Sequence, residues 1–562
     1  MLLVTRGGHV NTQASASHDV VNLYDRRADQ RWNRVSVADI VERLTWSTPD
    51  KEALVAGSGA FADPAFERLT FAELDRLMNQ VGHGLRAAGL QRGDRVLMVC
   101  ENSVEGYAFK LGASKIGVVV APLNPNLAPD VVRHLVDRVE PSYLVVDAEL
   151  WPRVRPAFSD TDREPDVTIE IGGDVIGASQ SFTDFVAGQP TDEPEATVHG
   201  DDIWEILFTS GTTAMPKGVM ESHTTVTLAA HGFALTLTRG LRVESDVKVA
   251  TFLPMMYHVG HYVFALAAFV AGGSVVLGRS PDPEAIARAI EAERVTALWA
   301  GSPAMVRALV GVLDESPRDV ASLTMAVYGW AALPPSVLKG FRVHCPQLDV
   351  VEIFGQTESI SCHRFWPAKW PDVYEATAPQ MNYVGIPSPL LASRIIDLDG
   401  NSLEGQPGMA GEAVYRSPVI AAGYYKDEPA TREAFRDGWF HSGDSCLYDN
   451  DGLRVMVDRY KDLVKSGGEN VSTIRVESVV SMHPSVAKVA VVGLLDDRWG
   501  EAVTAVVVPA DGSTTTEEEL IAFARERLAG FETPKHVIFV KALPETVGGK
   551  VMKYKLREQF QG

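Results

Sequence analysis

At 562 residues the chain is too long for one hydrophobic core, and its length predicts roughly three to four folding units. Its 46% apolar and 22% charged residues are those of an ordinary globular protein. A net charge of -21 excludes nucleic acid or an anionic membrane surface as the main partner, because both require a basic footprint.

Residues 1–34 are polar and irregular and read as an N-terminal arm. The apolar run in the opening MLLVTRGGHV is too short for a signal-peptide core. From Val35 the pattern becomes regular. VSVADIVERLTWSTP has apolar positions at helical spacing and stops at a proline. LTFAELDRLMNQVGHGLRAAGL predicts a second amphipathic helix ended by Gly89, and RGDRVLMVCEN predicts the strand after it. Helix-strand units then repeat (YAFKLGASKIG into VVVAPLN, VVRHLVDRV into YLVVD), a rhythm that predicts mostly parallel sheets with helices on their faces.

Residues 249–278 contain no Asp, Glu, Lys or Arg, a stretch long enough to cross a bilayer. Pro254, His258, His261 and the pair Gly272-Gly273 divide it into strand, helix and strand, so a buried core segment is expected and no integral membrane span. Beyond about residue 385, short alternating strands between Gly, Pro and Asp turns predict a β-rich subdomain. The expected organisation is an α/β chain: the arm (1–34), a large N-terminal domain (35–458, β-rich from about 385), and a small mobile α+β C-terminal domain (459–562). Cys100, Cys345, Cys362 and Cys446 are scattered without CxxC or metal-ligand spacing, which predicts reduced thiols and a cytoplasmic setting.

The stretch ILFTSGTTAMPKGV (206–219) runs an apolar strand into a loop of hydroxyls and glycines closed by a lysine. Backbone N–H groups and hydroxyls in such a loop can wrap an anion, which the lysine then neutralises. It does not fit GxxxxGK[ST], so a P-loop kinase is rejected.

The full spacing T-S-G-T-T-x-x-P-K-G resembles the signature loop of the adenylate-forming enzymes, a superfamily of acyl- and aryl-CoA synthetases, peptide-synthetase adenylation domains and luciferases. Six further motifs of that superfamily follow in order: LPMMYHVG (253–260), YGWAAL (328–333), FGQTE (354–358), WFHSGD (439–444), DRYKDLVKSGGENV (458–471) and PETVGGK (544–550). The resemblance runs from about Val35 to Leu556 and is closest to acyl- and aryl-CoA synthetases. It implies a ligase that activates a carboxylic acid with ATP, releases pyrophosphate, and passes the acyl group to CoA. An amine or a carrier-protein thiol is the alternative acceptor.

Carried over residue by residue, the resemblance implies that Thr209, Ser210, Gly211, Thr212, Thr213 and Lys217 cradle the phosphates. Gly329, Trp330 and Ala331 pass the adenine, and Phe354, Gly355, Gln356 and Thr357 bind ATP or AMP, with Thr357 on the α-phosphate and Phe354 also near the acyl pocket. Glu358 holds Mg²⁺. Asp444 and Arg459 bind ribose or phosphate, and Lys550 bridges the carboxylate and the α-phosphate. Thr209, Glu358, His258 and Lys550 are the expected catalytic set. Tyr257, His258, Val327, Trp330, Ser359 and Ile360 are expected around the acyl pocket. Trp330 stands where the family has glycine, so it either reshapes that pocket or turns into the core. Lys461 is the expected hinge, and Lys465, Ser466, Gly467, Gly468 and Glu469 the acceptor tunnel. Lys541, Lys553 and Lys555 are expected to be ordinary solvated lysines. The sequence neither requires nor opposes a homodimer.

Overall fold

The computed structural model describes residues 34–125, 127, 129–158, 167–173, 179–209, 215–238, 247–459, 462–466, 469–496, 498–545 and 551–561. The expected arm at 1–34 therefore lies outside the described residues except for Arg34.

Among the described residues, three sheets organise the chain. A seven-stranded sheet runs in the order Gln180–Ser181, Val167–Ile171, Tyr143–Asp147, Arg95–Val99, Val119–Pro122, Ile203–Phe208, Gly218–Ser222. All its pairs are parallel except the last, which is an antiparallel hairpin. Helices supply the crossovers, as parallel strands require. Thr70 and Glu73 close a capping box on the helix Phe71–Ala87, and Gly89 beyond its end takes a left-handed φ of 93°.

The second sheet has fourteen strands and changes character along its length. Glu52–Ala56, Ser274–Leu277, Lys248–Thr251, Ala297–Gly301, Met325–Gly329 and Asp349–Gln356 run parallel to their neighbours in this row. Ile360–Phe365 then folds back antiparallel on Asp349–Gln356, and every later pairing in the sheet is antiparallel. The expectation of mostly parallel sheets thus holds for the first half of the chain. The β-rich stretch continues the same sheet through Asn382–Pro387 instead of standing beside it.

The charge-free stretch 249–278 forms the strand Lys248–Thr251, the helical run Val259–Leu266 and Ala267–Val270, and the strand Ser274–Leu277. Most of its apolar residues belong to a core cluster that also takes Val96 and Val120 from the first sheet and Trp299 and Val327 from the second, while Ala250, Phe252 and Val276 face a second cluster. Among the described residues no helix is long and apolar enough to cross a membrane. A third, five-stranded sheet (Glu469–Val471, Val464–Ser466, Gly500–Pro509, Val486–Asp496, His536–Phe539) closes its own valine-rich core under the helices Thr473–Val480 and Glu517–Arg525. All four cysteines are buried and free.

Candidate active site

The loop at 209–217 is the tip of the antiparallel hairpin Ile203–Phe208/Gly218–Ser222, in which Phe208 faces Gly218. The Thr209 N–H donates to the Lys217 carbonyl at 3.0 Å, so the strand pair fixes both ends of the loop. Ser210, Gly211, Thr212 and Thr213 lie outside the described residues.

A segment that sequence reasoning missed, Gly423–Tyr425, lies along the second strand of this hairpin. The Met220 N–H donates to the Gly423 carbonyl (3.0 Å) and the Tyr425 N–H to the Gly218 carbonyl (2.7 Å). This places the Tyr424 ring under Lys217, whose Nζ is 4.6 Å from the ring centroid. The Tyr424 hydroxyl donates to Glu358 Oε1 at 2.8 Å, and the Ala421 N–H donates to the Glu358 carbonyl at 2.9 Å. Burial, with the Glu358 carboxylate second, pushes the Tyr424 hydroxyl above its usual range, so it remains a donor. The signal was present in GYYKD, a glycine and two aromatics after a β-rich run, but nothing local distinguishes it from a turn.

Asp444 and Arg459 face each other on neighbouring antiparallel strands. Arg459 Nε lies 2.6 Å from Asp444 Oδ1, and Gln356 Nε2 donates to Asp444 Oδ2 at 3.3 Å. Asp444 is fully buried. Its charge is the largest influence raising the Arg459 guanidinium, and Glu358 adds to it, so Arg459 lies in the field of both carboxylates. Lys217, Tyr424, Glu358, Arg459, Asp444 and Gln356 therefore form one connected group. Gly329 faces Ile353, and a Cβ on Gly329 would stand 2.9 Å from the Ile353 carbonyl oxygen. That close approach demands glycine and aligns YGWAAL with FGQTE. Phe354 and Thr357 are half-buried, Gly355 is exposed, and Ala331 is half-buried.

Among the residues expected around the acyl group, His258 is the residue before the π-helix Val259–Leu266, a form enriched at functional sites. Burial pulls its imidazole down to about 4, so it is neutral near pH 7. The turn leading to it is clamped by two residues sequence reasoning missed. Asn102 Oδ1 accepts from the Met255 N–H (2.7 Å) and Asn102 Nδ2 donates to the Leu253 carbonyl (3.0 Å). Lys110 Nζ donates to the Met255 carbonyl (2.9 Å) and pairs with the buried Glu205 at 2.5 Å. Tyr257 is half-buried; Val327, Ser359 and Ile360 are buried. Trp330 does not turn into the core: it is 46% exposed and meets Trp299 edge-on at 5.7 Å. Its φ of 71° is a glycine's conformation, and Ile360 carries a φ of 56°.

Lys465 and Ser466 pair with Asn470 and Glu469 in a tight hairpin, held to the third sheet by the Lys465 N–H on Glu501 Oε2 (2.7 Å). Gly467, Gly468, Lys461 and Lys550 lie outside the described residues. Lys553 departs from expectation. Its Nζ pairs with Glu477 at 2.8 Å and donates to Thr473 Oγ1, while Thr473 Oγ1 and N–H both donate to Asp458 Oδ2 at 2.6 Å. Burial opposes its charge, but Glu477, Asp458 and Asp462 overcome this and raise its pKa. A lysine three positions past the last motif is thus a largely shielded tie and not a solvated one.

The model of the family described as AMP-binding enzyme matches residues 42–425, and that of the AMP-binding enzyme C-terminal domain matches 475–550. A feruloyl-CoA synthase of Amycolatopsis sp is 32% identical over 492 residues, 88% of this chain and 94% of its own. Among solved structures, the anthranilate CoA ligase AuaEII in complex with anthranoyl-AMP has a TM-score of 0.82 at 24% identity. The match covers 94% of this chain and 97% of that one, a likeness of fold. The amide bond synthetase McbA from Marinactinospora thermotolerans has a TM-score of 0.78 at 26% identity, covering 93% and 100%.

Proposed function

Because the chain belongs to the AMP-binding enzymes, we infer that it is an ATP-dependent carboxylic acid:CoA ligase, forming an acyl adenylate and then the thioester. The observation that carries this reading is the connected group of Lys217, Glu358, Arg459 and Asp444, which includes Lys217 at the end of the signature loop. Cations and carboxylates alternate there, as a triphosphate, its ribose and a divalent ion require. Lys217 and the loop from Thr209 would take the departing pyrophosphate; Asp444 would accept from the ribose hydroxyls once Arg459 turns to phosphate. Glu358 would hold Mg²⁺. A lone carboxylate suffices there, since Mg²⁺ draws its other ligands from phosphates and water. When bound, the ion neutralises phosphate charge.

Both half-reactions then rest on positioning and charge, without a covalent enzyme intermediate. Neutral His258 and Trp330 border the carboxylate end of the acid. Lys550 would bridge that carboxylate to the α-phosphate, with the C-terminal domain turning about Lys461 between the steps. The cytoplasm, which supplies ATP and CoA and keeps thiols reduced, fits the four free cysteines. The likeness to an amide bond synthetase supports an amine as the alternative acceptor.

Pyrophosphate release from ATP and Mg²⁺ across fatty, aryl and polycyclic acids, with and without CoA, tests the reading. Acid-dependent release with acyl-CoA formed on adding CoA is expected. Acid-dependent release that yields product only with an amine would replace the thiol by that acceptor. No release with any acid would end the ligase reading.

A further inference from the structure

Resting on the ligase reading, a buried cation narrows its substrate. Arg364 lies on the strand Ile360–Phe365, six residues after Glu358, and pairs across the sheet with Ile353. Residues directly opposite in a ladder share a face, so Arg364 is on the face that carries Val327 and Trp299, where the acyl group is expected. A run of aromatic contacts joins it to the adenylate end. Its guanidinium carbon is 5.4 Å from the Phe233 ring centroid, and Phe233 is 5.3 Å from Phe264. Phe264 is 5.3 Å from Trp299, which meets Trp330.

Arg364 is 5% exposed, yet among the described residues no carboxylate pairs with it. Nη2 donates to the Gly232 carbonyl at 3.1 Å, and the buried Nε meets no partner among the described residues. Burial alone acts on it, lowering its pKa to about 10, so it stays charged at neutral pH. Trp299 Nε1 on the same face is likewise buried without an acceptor. A desolvated charge with one carbonyl and one ring for company is costly, and removing a partner from such a charge is strongly unfavourable. A ligand carboxylate restores the missing partner with a charge-assisted, bidentate fit suited to guanidinium.

We propose that Arg364 binds a second, distal carboxylate of the acid substrate, making the enzyme selective for dicarboxylic acids with a flat or apolar body. The aromatic wall between Trp330 and Arg364 would hold that body, with the reacting carboxylate at the Trp330 end.

The test compares kcat/KM for pyrophosphate release with terephthalate, 4-carboxycinnamate and a series of α,ω-alkanedioates, each against its monomethyl ester. The wild type is expected to favour at least one diacid over its half-ester by about 30-fold or more. Arg364→Met should bring that ratio to within about threefold, with Arg364→Lys between the two; a merely structural arginine would not move the ratio. If Arg364→Met does not fold, the wild-type ratio and Arg364→Lys decide. Half-esters and monoacids turned over as well as the diacids would overturn the inference and leave the ligase intact. Release with no acid of either kind would overturn both.

Discussion

Trp330 and Tyr424 each hold a local geometry that a single substitution can test. A bulky aromatic at φ 71° costs about 1–2 kcal/mol against a right-handed conformation. Replacing it by glycine removes that cost, but adds about 0.5–1 kcal/mol of backbone entropy and forfeits an edge-on ring contact of about 1 kcal/mol. These terms nearly cancel, so Trp330→Gly is expected to leave stability within about 1 kcal/mol in urea unfolding. Its effect should appear in substrate range: kcat/KM for acids bulky near the carboxylate should rise about tenfold or more. An unchanged acid profile would mean that Trp330 does not border the acid. Tyr424→Phe keeps the ring under Lys217 and removes only the hydrogen bond to Glu358. A net hydrogen bond is worth about 1 kcal/mol, so adenylation at limiting Mg²⁺ should fall about fivefold, with a raised apparent Mg²⁺ requirement. Loss of activity that high Mg²⁺ does not relieve would place the hydroxyl's role elsewhere.

At the level of elements, periodicity and the motif order made much of this molecule legible. The near-continuous apolar runs in VVVAPLN and YLVVD read directly as strands because both faces of a parallel strand are apolar. The ordered motifs singled out Asp444 and Arg459, which the fold pairs on neighbouring strands, and Glu358, in the turn after Asp349–Gln356, whose charge also acts on Arg459. What stayed hidden were partners supplied from distant elements. Asn102, Lys110 and Tyr424 act through contacts 66 to 207 residues away in sequence, which no local pattern encodes. Lys553 is the sharpest case, since a lysine at the start of a terminal helix ordinarily snorkels to water. Here it ties the helix Lys553–Phe560 to Glu477 and, through Thr473, to Asp458 at the end of the large domain's last strand. The pair is only partly shielded, with side chains 13% and 22% exposed, so the 3–5 kcal/mol cost of breaking a buried pair is an upper bound. Lys553→Met is expected to destabilise the C-terminal domain by about 2 kcal/mol, seen as faster proteolysis of residues 473–560 before the rest of the chain. A change below about 0.5 kcal/mol would class it with surface pairs.

For the molecule as a whole, buried titratable groups set opposing limits on stability. Burial holds His258 down to about 4 and His223 down to about 3, while it pushes the Glu352 carboxyl up to about 8. Between about pH 6.5 and its folded pKa, each of these histidines binds more protons unfolded than folded, so stability falls as pH falls through that window and is flat above it. Glu352 acts in reverse: it keeps its proton when folded after the unfolded chain has lost it, so its contribution declines as pH rises from about 4.5 to 8. The wild-type profile sums these slopes, and a single-site variant isolates one of them. His258→Leu removes the lowering of that imidazole from about 6.5 to about 4, worth about 3 kcal/mol. Unfolding free energies from urea titrations at pH 7 and pH 4 should therefore drop by about 3 kcal/mol less in the variant than in the wild type. The acidic fall that remains should then be dominated by groups such as His223. Parallel pH profiles for the two proteins would mean that His258 meets water and charges freely in the fold, which would also remove the basis for a neutral imidazole beside the acid.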